Sequence, residues 1–179
     1  SDLELVILCV PVGAMGAVAA EMRDDLPAEA LVSDVGSSKA AILTALQEVL
    51  PNHAIIPAHP VAGTERSGPE AGFASLFHNR WCILTPPADA DPNKVAQLSA
   101  FWERLGANVD IMDAPHHDLV LAVTSHLPHL IAYTIVGTAS DLESVTRSEV
   151  IKYSAGGFRD FTRIAASDPT MWRDVFLSN

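Results

Sequence analysis

Short apolar runs alternate with amphipathic segments over the first 113 residues of this chain. The run LELVILCVPV, Leu3–Val12, is β-branched and too short for a typical helix, and it predicts a strand buried on both faces. Further strands are predicted near Ala30–Ser33 and in the segments HAIIPA, WCILTP and ANVDIMD. Helices are predicted in AMGAVAAEM, KAAILTALQEVL and KVAQLSAFWERLG, the last ending at Gly106 as a C′ glycine. This alternation predicts a parallel sheet with helices on its faces.

After Asp113 the pattern changes and no further strand is predicted. The segment PHHDLVLAVTSHLPHLIAYTIVGTA has helical periodicity, and Pro128 is expected to kink it or to start a new turn. Shorter helices are predicted in DLESVTRSEVIKYS and GFRDFTRIAAS. The last segment opens with Ser167 or Asp168 as N-cap and Pro169 in the first turn. The predicted fold class is therefore α/β followed by all-α, with domains over 1–113 and 114–179.

The predicted sheet is incomplete for a dinucleotide-binding domain. Such sheets usually open with a strand, the motif G-x-G-x-x-G and a helix, whereas Gly13 and Gly16 supply only G-x-x-G. The sequence begins at Ser1, directly on an apolar strand. We therefore expect a partial Rossmann-type sheet that lacks an N-terminal βαβ unit, and we expect these 179 residues alone to be inactive.

Composition narrows the classes of ligand and location. With 49% hydrophobic and 18% charged residues, the chain can build a sizeable core. A net charge of −11 and scattered Lys and Arg argue against nucleic acid but not against a small anion in a local positive pocket. No apolar run approaches the ~20 residues of a membrane span, and no signal peptide is recognisable. Cys9 and Cys82 form no disulfide framework. Together with the absence of a membrane span and of a signal peptide, this leads us to expect a cytoplasmic protein without a membrane partner.

Two polar segments follow neighbouring predicted strands. SDVGSSK places Ser37 or Ser38 at a helix N-terminus, and HPVAGTE places His59, Thr64 and Glu65 at the end of the next strand. Because parallel strands end at one edge of a sheet, these side chains should face one crevice. A serine hydroxyl can orient an imidazole there, although a plain N-cap and a polar surface loop are the simpler interpretations.

The helical part carries a histidine cluster, at His116, His117, His126 and His129. Ser125 lies four residues before His129, so the two share a helix face. Hydrogen-bonded core histidines are one interpretation of this cluster and a polar pocket is another. A metal site is not expected, because cysteine ligands and H-E-x-x-H are absent.

Asp160 and Arg163 lie three residues apart in the segment GGFRDFTRIAASDP. One interpretation is a local surface ion pair between the two side chains. The other is that Arg163 binds a carboxylate of a ligand while Asp160 holds the arginine in position. Trp172 can be read as an ordinary packing aromatic.

Four of these stretches, DVGSSK, HPVAGTERSG, SHLPH and GFRDFTRIAASDPTMWRDVF, together resemble the prephenate and arogenate (cyclohexadienyl) dehydrogenases. The resemblance implies a dinucleotide-binding domain followed by a helical domain that forms a homodimer. It implies oxidative decarboxylation of prephenate or arogenate with NAD or NADP in tyrosine biosynthesis, with tyrosine as an inhibitor. The sequence by itself does not distinguish NAD from NADP or prephenate from arogenate.

The resemblance also implies roles for individual residues. His59 corresponds to the catalytic histidine that takes the proton of the substrate's C4 hydroxyl, and Ser37 to the serine that orients it. Arg163 corresponds to the arginine that binds the ring carboxylate. The other implied substrate-binding residues are Thr64, Glu65, His117, Ser125, His126, His129 and Trp172. The implied cofactor-binding residues are Cys9, Val10, Pro11, Val12, Asp34, Gly36 and Ser37.

Two alternatives stay open at this point. A β-hydroxy acid dehydrogenase of the same two-domain plan would need a lysine in the helical part, where Lys152 is the only one. A non-catalytic module that senses an aromatic ligand would keep the pocket without turnover.

Overall fold

The computed structural model describes residues 3–63, 68–142, 145 and 149–179. Within these residues, the first part of the chain contains six strands, β1 (Leu5–Leu8), β2 (Leu31–Asp34), β3 (Ala54–Ile55), β4 (Ala58–Pro60), β5 (Trp81–Leu84) and β6 (Asn108–Ile111). Three helices accompany them, α1 (Met15–Met22), α2 (Ala40–Val49) and α3 (Pro92–Arg104).

Most strand pairs are parallel, as the sequence predicts. β1, β2 and β3 form one ladder in that order, and β5 pairs parallel with β6. α1, α2 and α3 connect the strands of the parallel pairs, which is the usual crossover for such a ladder. The predicted class, α/β followed by all-α, is confirmed.

One strand pair differs from the prediction. The segment HAIIPA, together with His59 and Pro60 after it, forms two short strands, β3 and β4, separated by Ile56 and Pro57, and β4 pairs antiparallel with β5. A parallel return needs a crossover, usually a helix. Between β4 and β5 the described residues contain only a 3₁₀ turn, Pro69–Ala71, so the chain turns back beside β4 instead.

The first two residues of β2 show why a strand between two helix layers carries apolar side chains on both faces. Val32 packs with α1 and α2 on one face of the sheet, and Leu31 packs with α3 on the other. Both residues are fully buried, so the strand needs apolar side chains in both directions.

The helical part begins immediately after β6. α4 (Ala114–Leu121), a π-helical turn (Ala122–His126) and α5 (Leu127–Leu142) form one continuous stretch. α6 (Glu149–Lys152), α7 (Gly156–Thr162) and α8 (Pro169–Ser178) follow, with Asp168 as the N-cap of α8.

Pro128 disturbs this long helix without ending it. Proline has no N–H to donate to the preceding turn, and the backbone widens into the π-helical turn just before it. The predicted kink therefore takes the form of a wide turn, a feature often found at functional sites.

The stretch Ala114–Leu142 is the one helix of the described chain long and apolar enough, by length and composition, to cross a membrane. This finding differs from the expectation that no apolar run approaches the length of a membrane span. Mostly buried core helices of soluble proteins pass the same test, whereas only 17% of the apolar window of this stretch is buried.

A buried ion pair joins the ends of two strands. The side chains of Lys39 and Asp34 are wholly inaccessible and in direct contact, and Lys39 Nζ also donates to the Ala58 carbonyl at 2.7 Å. Asp34 accepts from the Gly36 N–H at 2.7 Å and from the Ala58 N–H at 3.3 Å. Lys39 and Asp34 thus hold the end of β2 against the start of β4.

Replacing Asp34 with alanine should strongly destabilise the sheet, because it leaves a buried ammonium without its carboxylate. We expect a loss of about 3–5 kcal/mol in the free energy of unfolding, measured by denaturant titration. Asp24→Ala removes a carboxylate from the exposed Arg23–Asp24 pair, and that control should cost under about 1 kcal/mol. Equal losses in the two variants would contradict the structural role of Asp34.

Candidate active site

A cleft of about 490 Å³ lies between the sheet and the helical part. Its described lining comes from the segments after β2 and β4, the start of β5, the π-helical turn, α5, α8 and the loop before α8. The lining residues are Ser37, His59, Val61, Ala62, Gly63, Arg80, Ser125, His129, Arg163, Ile164, Ser167, Met171 and Trp172.

His59 lies in β4 and contributes a largely buried imidazole to the cleft, 7% exposed. Its Nδ1 is 2.8 Å from Nε2 of His117, which is fully buried. Nδ1 of His117 is in turn 2.8 Å from Oδ1 of Asp118. Because Nδ1 of His59 is used in this way, Nε2 is the ring nitrogen left for a ligand.

The surroundings of His59 favour its neutral form. Burial lowers its pKa well below the ordinary value of 6.5, and the electrostatic influence of Lys39, His117 and His126 acts in the same direction. The carboxylate of Asp118 opposes them. A neutral imidazole facing a cleft can accept a proton at physiological pH.

The serines of DVGSSK precede the helix rather than capping it. α2 begins at Ala40, and the backbone N–H groups of Lys39 and Ala40 donate to the Asp118 carboxylate at 2.7 and 2.9 Å. Ser37 is half-buried and lines the cleft. Ser38 is buried, and its hydroxyl is 2.7 Å from that of Ser178.

The helical part contributes a stacked pair to the opposite wall. The rings of His129 and Trp172 stack with centroids 3.6 Å apart at 18°. Nδ1 of His129 is 2.9 Å from the Ser125 carbonyl, which orients the ring. Burial lowers the pKa of His129, and the nearby charge of Arg163 lowers it further. Sequence reasoning placed all four of these residues at the site, and the cleft brings them together.

Two predicted pocket histidines lie behind the cleft instead of lining it. His117 stands behind His59, as described. His126 is buried, with Nδ1 3.0 Å from Nδ2 of Asn179. Nδ2 of Asn179 also donates to the Asp118 carbonyl at 2.8 Å, which ties the end of α8 to α4. Thr64 and Glu65 lie outside the described residues.

The predicted cofactor residues fall into two groups, a loop after β1 that is exposed or half-buried and two buried residues, Asp34 and Gly36. Cys9, Val10, Pro11 and Val12 follow β1 and are exposed or half-buried, next to the end of β2 because Leu8 pairs with Asp34. Burial, with the charge of Asp34, raises the pKa of the Cys9 thiol, which keeps it neutral.

The two buried residues, Asp34 and Gly36, are not among the residues that line the cleft. The Asp34 carboxylate is used by Lys39, Gly36 and Ala58. A Cβ at Gly36 would lie 2.6 Å from Cδ1 of Ile42 and 3.0 Å from both Asp34 Oδ2 and Met15 Cε, so a larger residue there would require these side chains to shift. Both residues are buried, and their predicted contact with the cofactor stays a prediction.

Sequence reasoning missed Arg80 and Asp118. Arg80 reaches the cleft because β5 runs antiparallel to β4, a pairing that the sequence did not predict. Asp118 was overlooked beside the two histidines that precede it. A cluster of three or more histidine, cysteine or acidic side chains suited to a metal ion is absent from the described residues.

Comparison with known proteins assigns the family. Residues 1–111 match the family model of the prephenate dehydrogenase nucleotide-binding domain, and residues 113–179 match that of the prephenate dehydrogenase dimerization domain. The chain is 49% identical to cyclohexadienyl dehydrogenase of Zymomonas mobilis over 178 residues, 99% of this chain and 61% of that protein. It is 40% identical to prephenate dehydrogenase of Bacillus subtilis over 152 residues, 84% of this chain and 41% of that protein.

Solved structures agree with this assignment. Prephenate dehydrogenase from Aquifex aeolicus, in complex with hydroxyphenyl propionate and NAD⁺, superimposes with a TM-score of 0.90 and 38% identity. That match covers 97% of this chain and 60% of the Aquifex chain. The present chain therefore spans about three fifths of the length of that structure and of the Zymomonas relative. Both halves of the sequence match, in the same order, so the chain belongs to the prephenate dehydrogenase family.

Proposed function

We propose that the full-length protein containing this chain oxidises and decarboxylates prephenate or arogenate with NAD⁺ or NADP⁺. The observation that carries the proposal is a neutral, buried His59 in the same cleft as Arg163. Family membership supports it, as does the Aquifex relative with its bound NAD⁺ and hydroxyphenyl propionate. The direct test is formation of reduced cofactor when the purified full-length protein receives each substrate.

The loop after β1 fits a cofactor. Cys9, Val10, Pro11 and Val12 lie at the carboxyl end of a parallel strand, where open α/β sheets bind ligands. The neutral thiol and the apolar side chains suit a flat ring, and Ser37 lies at the end of the neighbouring strand. When bound there, NAD(P)⁺ supplies the acceptor for the hydride that leaves C4 of the substrate ring.

His59 serves as the base in this proposal. Nε2 accepts the proton of the C4 hydroxyl while the C4 hydride leaves. Loss of carbon dioxide from C1 then makes the ring aromatic, and the proton held by His59 returns to the phenolate oxygen. Aromatisation provides much of the driving force, so the protein mainly orients the substrate and handles one proton.

Positive charge in the cleft suits a carboxylate. Arg163 is the residue proposed to bind the ring carboxylate, and a guanidinium can do so with two parallel hydrogen bonds. Arg80 adds a second cation to the same lining. His129, stacked on Trp172, forms a flat wall against which a six-membered ring can rest.

The alternative enzyme reaction receives less support. It requires a lysine in the helical part, and Lys152 lies on α6 with its ammonium over the Tyr153 ring, 5.2 Å from the centroid. It is not among the described residues of the cleft. Turnover with prephenate or arogenate would also exclude a purely ligand-sensing module.

We also propose that the long helix forms part of a homodimer interface. Leu119, Val123, Leu127 and Leu130 lie on one helix face and are 66%, 62%, 48% and 47% exposed. The match of this part to a dimerization domain supports the same conclusion.

Charging this stripe should dissociate the dimer. Val123→Lys with Leu127→Lys places two ammonium groups in an apolar contact, so sedimentation equilibrium of the full-length protein should shift from dimer to monomer. Leu105→Lys changes an exposed leucine at the end of α3 and should leave the mass unchanged. An unaltered dimer in the double variant would contradict this interface.

His59→Asn should remove the base while keeping a polar side chain. We expect kcat of the full-length protein to fall by about 10²- to 10⁴-fold, the usual range for a general base, with little change in cofactor affinity. His116→Asn is the matched control, because His116 is exposed on α4 and outside the cleft lining. An undiminished kcat in His59→Asn would exclude His59 from the mechanism.

Arg163→Ala should weaken substrate binding far more than cofactor binding. A charge-assisted contact of roughly 1.5–3 kcal/mol corresponds to a rise in KM of about tenfold or more. Arg173→Ala provides the control, since Arg173 pairs with Asp174 on α8, away from the cleft. A KM within twofold of the wild type would limit Arg163 to a surface role.

A further inference from the structure

Asp118 is the end point of a hydrogen-bonded chain that begins at His59. The chain runs from His59 Nδ1 to His117 Nε2 at 2.8 Å, and from His117 Nδ1 to Asp118 Oδ1 at 2.8 Å. All three residues are at least nine-tenths buried. His117 and Asp118 do not line the cleft, so they act on a ligand only through His59.

The ionised carboxylate determines where every proton in this chain sits. Burial by itself would raise the pKa of Asp118. The hydrogen bonds from His117 and from the Ala40 and Lys39 N–H groups outweigh burial and hold it below the ordinary value. A carboxylate only accepts hydrogen bonds, so Nδ1 of His117 must carry a hydrogen.

The position of the hydrogen on the His59 ring follows from its position on the His117 ring. In neutral His117, Nε2 has a lone pair and accepts the hydrogen bond from His59. Nδ1 of His59 is then protonated, and Nε2 presents its lone pair to the cleft. This is the tautomer that a base needs, and two neighbours that never touch a ligand select it.

We propose that His117 and Asp118 are positioning residues that set the tautomer and orientation of His59 as the base. The proposal rests on the function proposed above. It assigns to His117 and Asp118 the orienting role that the family resemblance gave to Ser37. Ser37 keeps its place in the cleft lining.

The same carboxylate makes the base depend on the junction between the two parts of the chain. Asp118 belongs to α4, whereas the N–H groups that it accepts belong to the start of α2. Loss of the Asp118 carboxylate therefore has two consequences. The N–H groups at the start of α2 lose their acceptor, and His117 loses the negative charge of its hydrogen-bond partner. The experiment has to separate these consequences.

Asp118→Asn in the full-length protein separates them through the pH profile. The described charged or titratable groups that influence His59 are Lys39, His117, His126 and Asp118. Only Asp118 raises the pKa of His59, so its neutralisation lowers that pKa further. We expect the acid limb of kcat/KM to move to lower pH and kcat to fall about tenfold or more, with substrate KM little changed.

Asp113→Asn is the matched control. The Asp113 side chain caps the start of the same helix by accepting from the His116 N–H at 2.9 Å. The contact of Asp113 with His117 is through the backbone, where the Asp113 carbonyl accepts from the His117 N–H at 3.0 Å, and the substitution leaves that bond in place. The acid limb of kcat/KM in the Asp113→Asn variant should coincide with that of the wild type. If Asp118→Asn lowers thermal stability but keeps the wild-type pH profile and kcat, Asp118 has only a structural role and the proposal is wrong.

Two variants of His117 test the acceptor itself. Glutamine can place its side-chain oxygen near the position of Nε2 and still accept from His59, whereas phenylalanine cannot. We expect kcat to fall about 10²-fold or more in His117→Phe and to recover by about tenfold in His117→Gln. A kcat within twofold of the wild type in a folded His117→Phe protein would overturn the proposal.

An NMR measurement is independent of turnover. The ¹⁵N shifts of His59 should report a protonated Nδ1 and an unprotonated Nε2 in the wild type at neutral pH, and this preference should disappear in His117→Phe. Retention of the same tautomer in His117→Phe would contradict the proposal. If the wild type shows the tautomer but produces no reduced cofactor from prephenate or arogenate, the proposed function fails while the positioning role stands.

Discussion

Lys39 is the residue at which the parts of this structure meet. Its buried ammonium contacts Asp34 at the end of β2 and the Ala58 carbonyl in β4, and its backbone N–H donates to Asp118 on α4. The desolvation of a charged lysine is tolerated only because all of these partners are in place. The position of His59, one residue after Ala58, depends directly on this arrangement.

Lys39 and Asp118 contribute both to stability and to the chemistry of His59. The ammonium of Lys39 helps to keep His59 neutral, and the carboxylate of Asp118 acts in the opposite direction. His59 is therefore held between a buried cation and a buried anion, and the balance determines the pH at which it can accept a proton. Residues that would be classified as structural by burial thus determine how the proposed base behaves.

The prediction from sequence succeeded where one local signal was sufficient. The apolar runs located the strands, and Asp168 and Gly106 marked the ends of helices as expected. It missed the antiparallel pairing of β4 with β5, because a loop without a helix leaves the direction of return undetermined. It also missed Arg80, since that position depends on the direction of β5.

The sequence by itself determined the fold class, the family and six of the thirteen described residues that line the cleft. Strand positions packed against helices on both faces are mostly apolar, and four ordered motifs are too specific to arise by packing alone. Only the tertiary structure decided which of these residues face the cleft. It placed Asp34, His117 and His126 behind the lining and made Asp118 the cap of a helix 78 residues earlier in the chain. Hydrogen bonds over that separation leave no periodic pattern, because they depend on how two independently formed elements pack together.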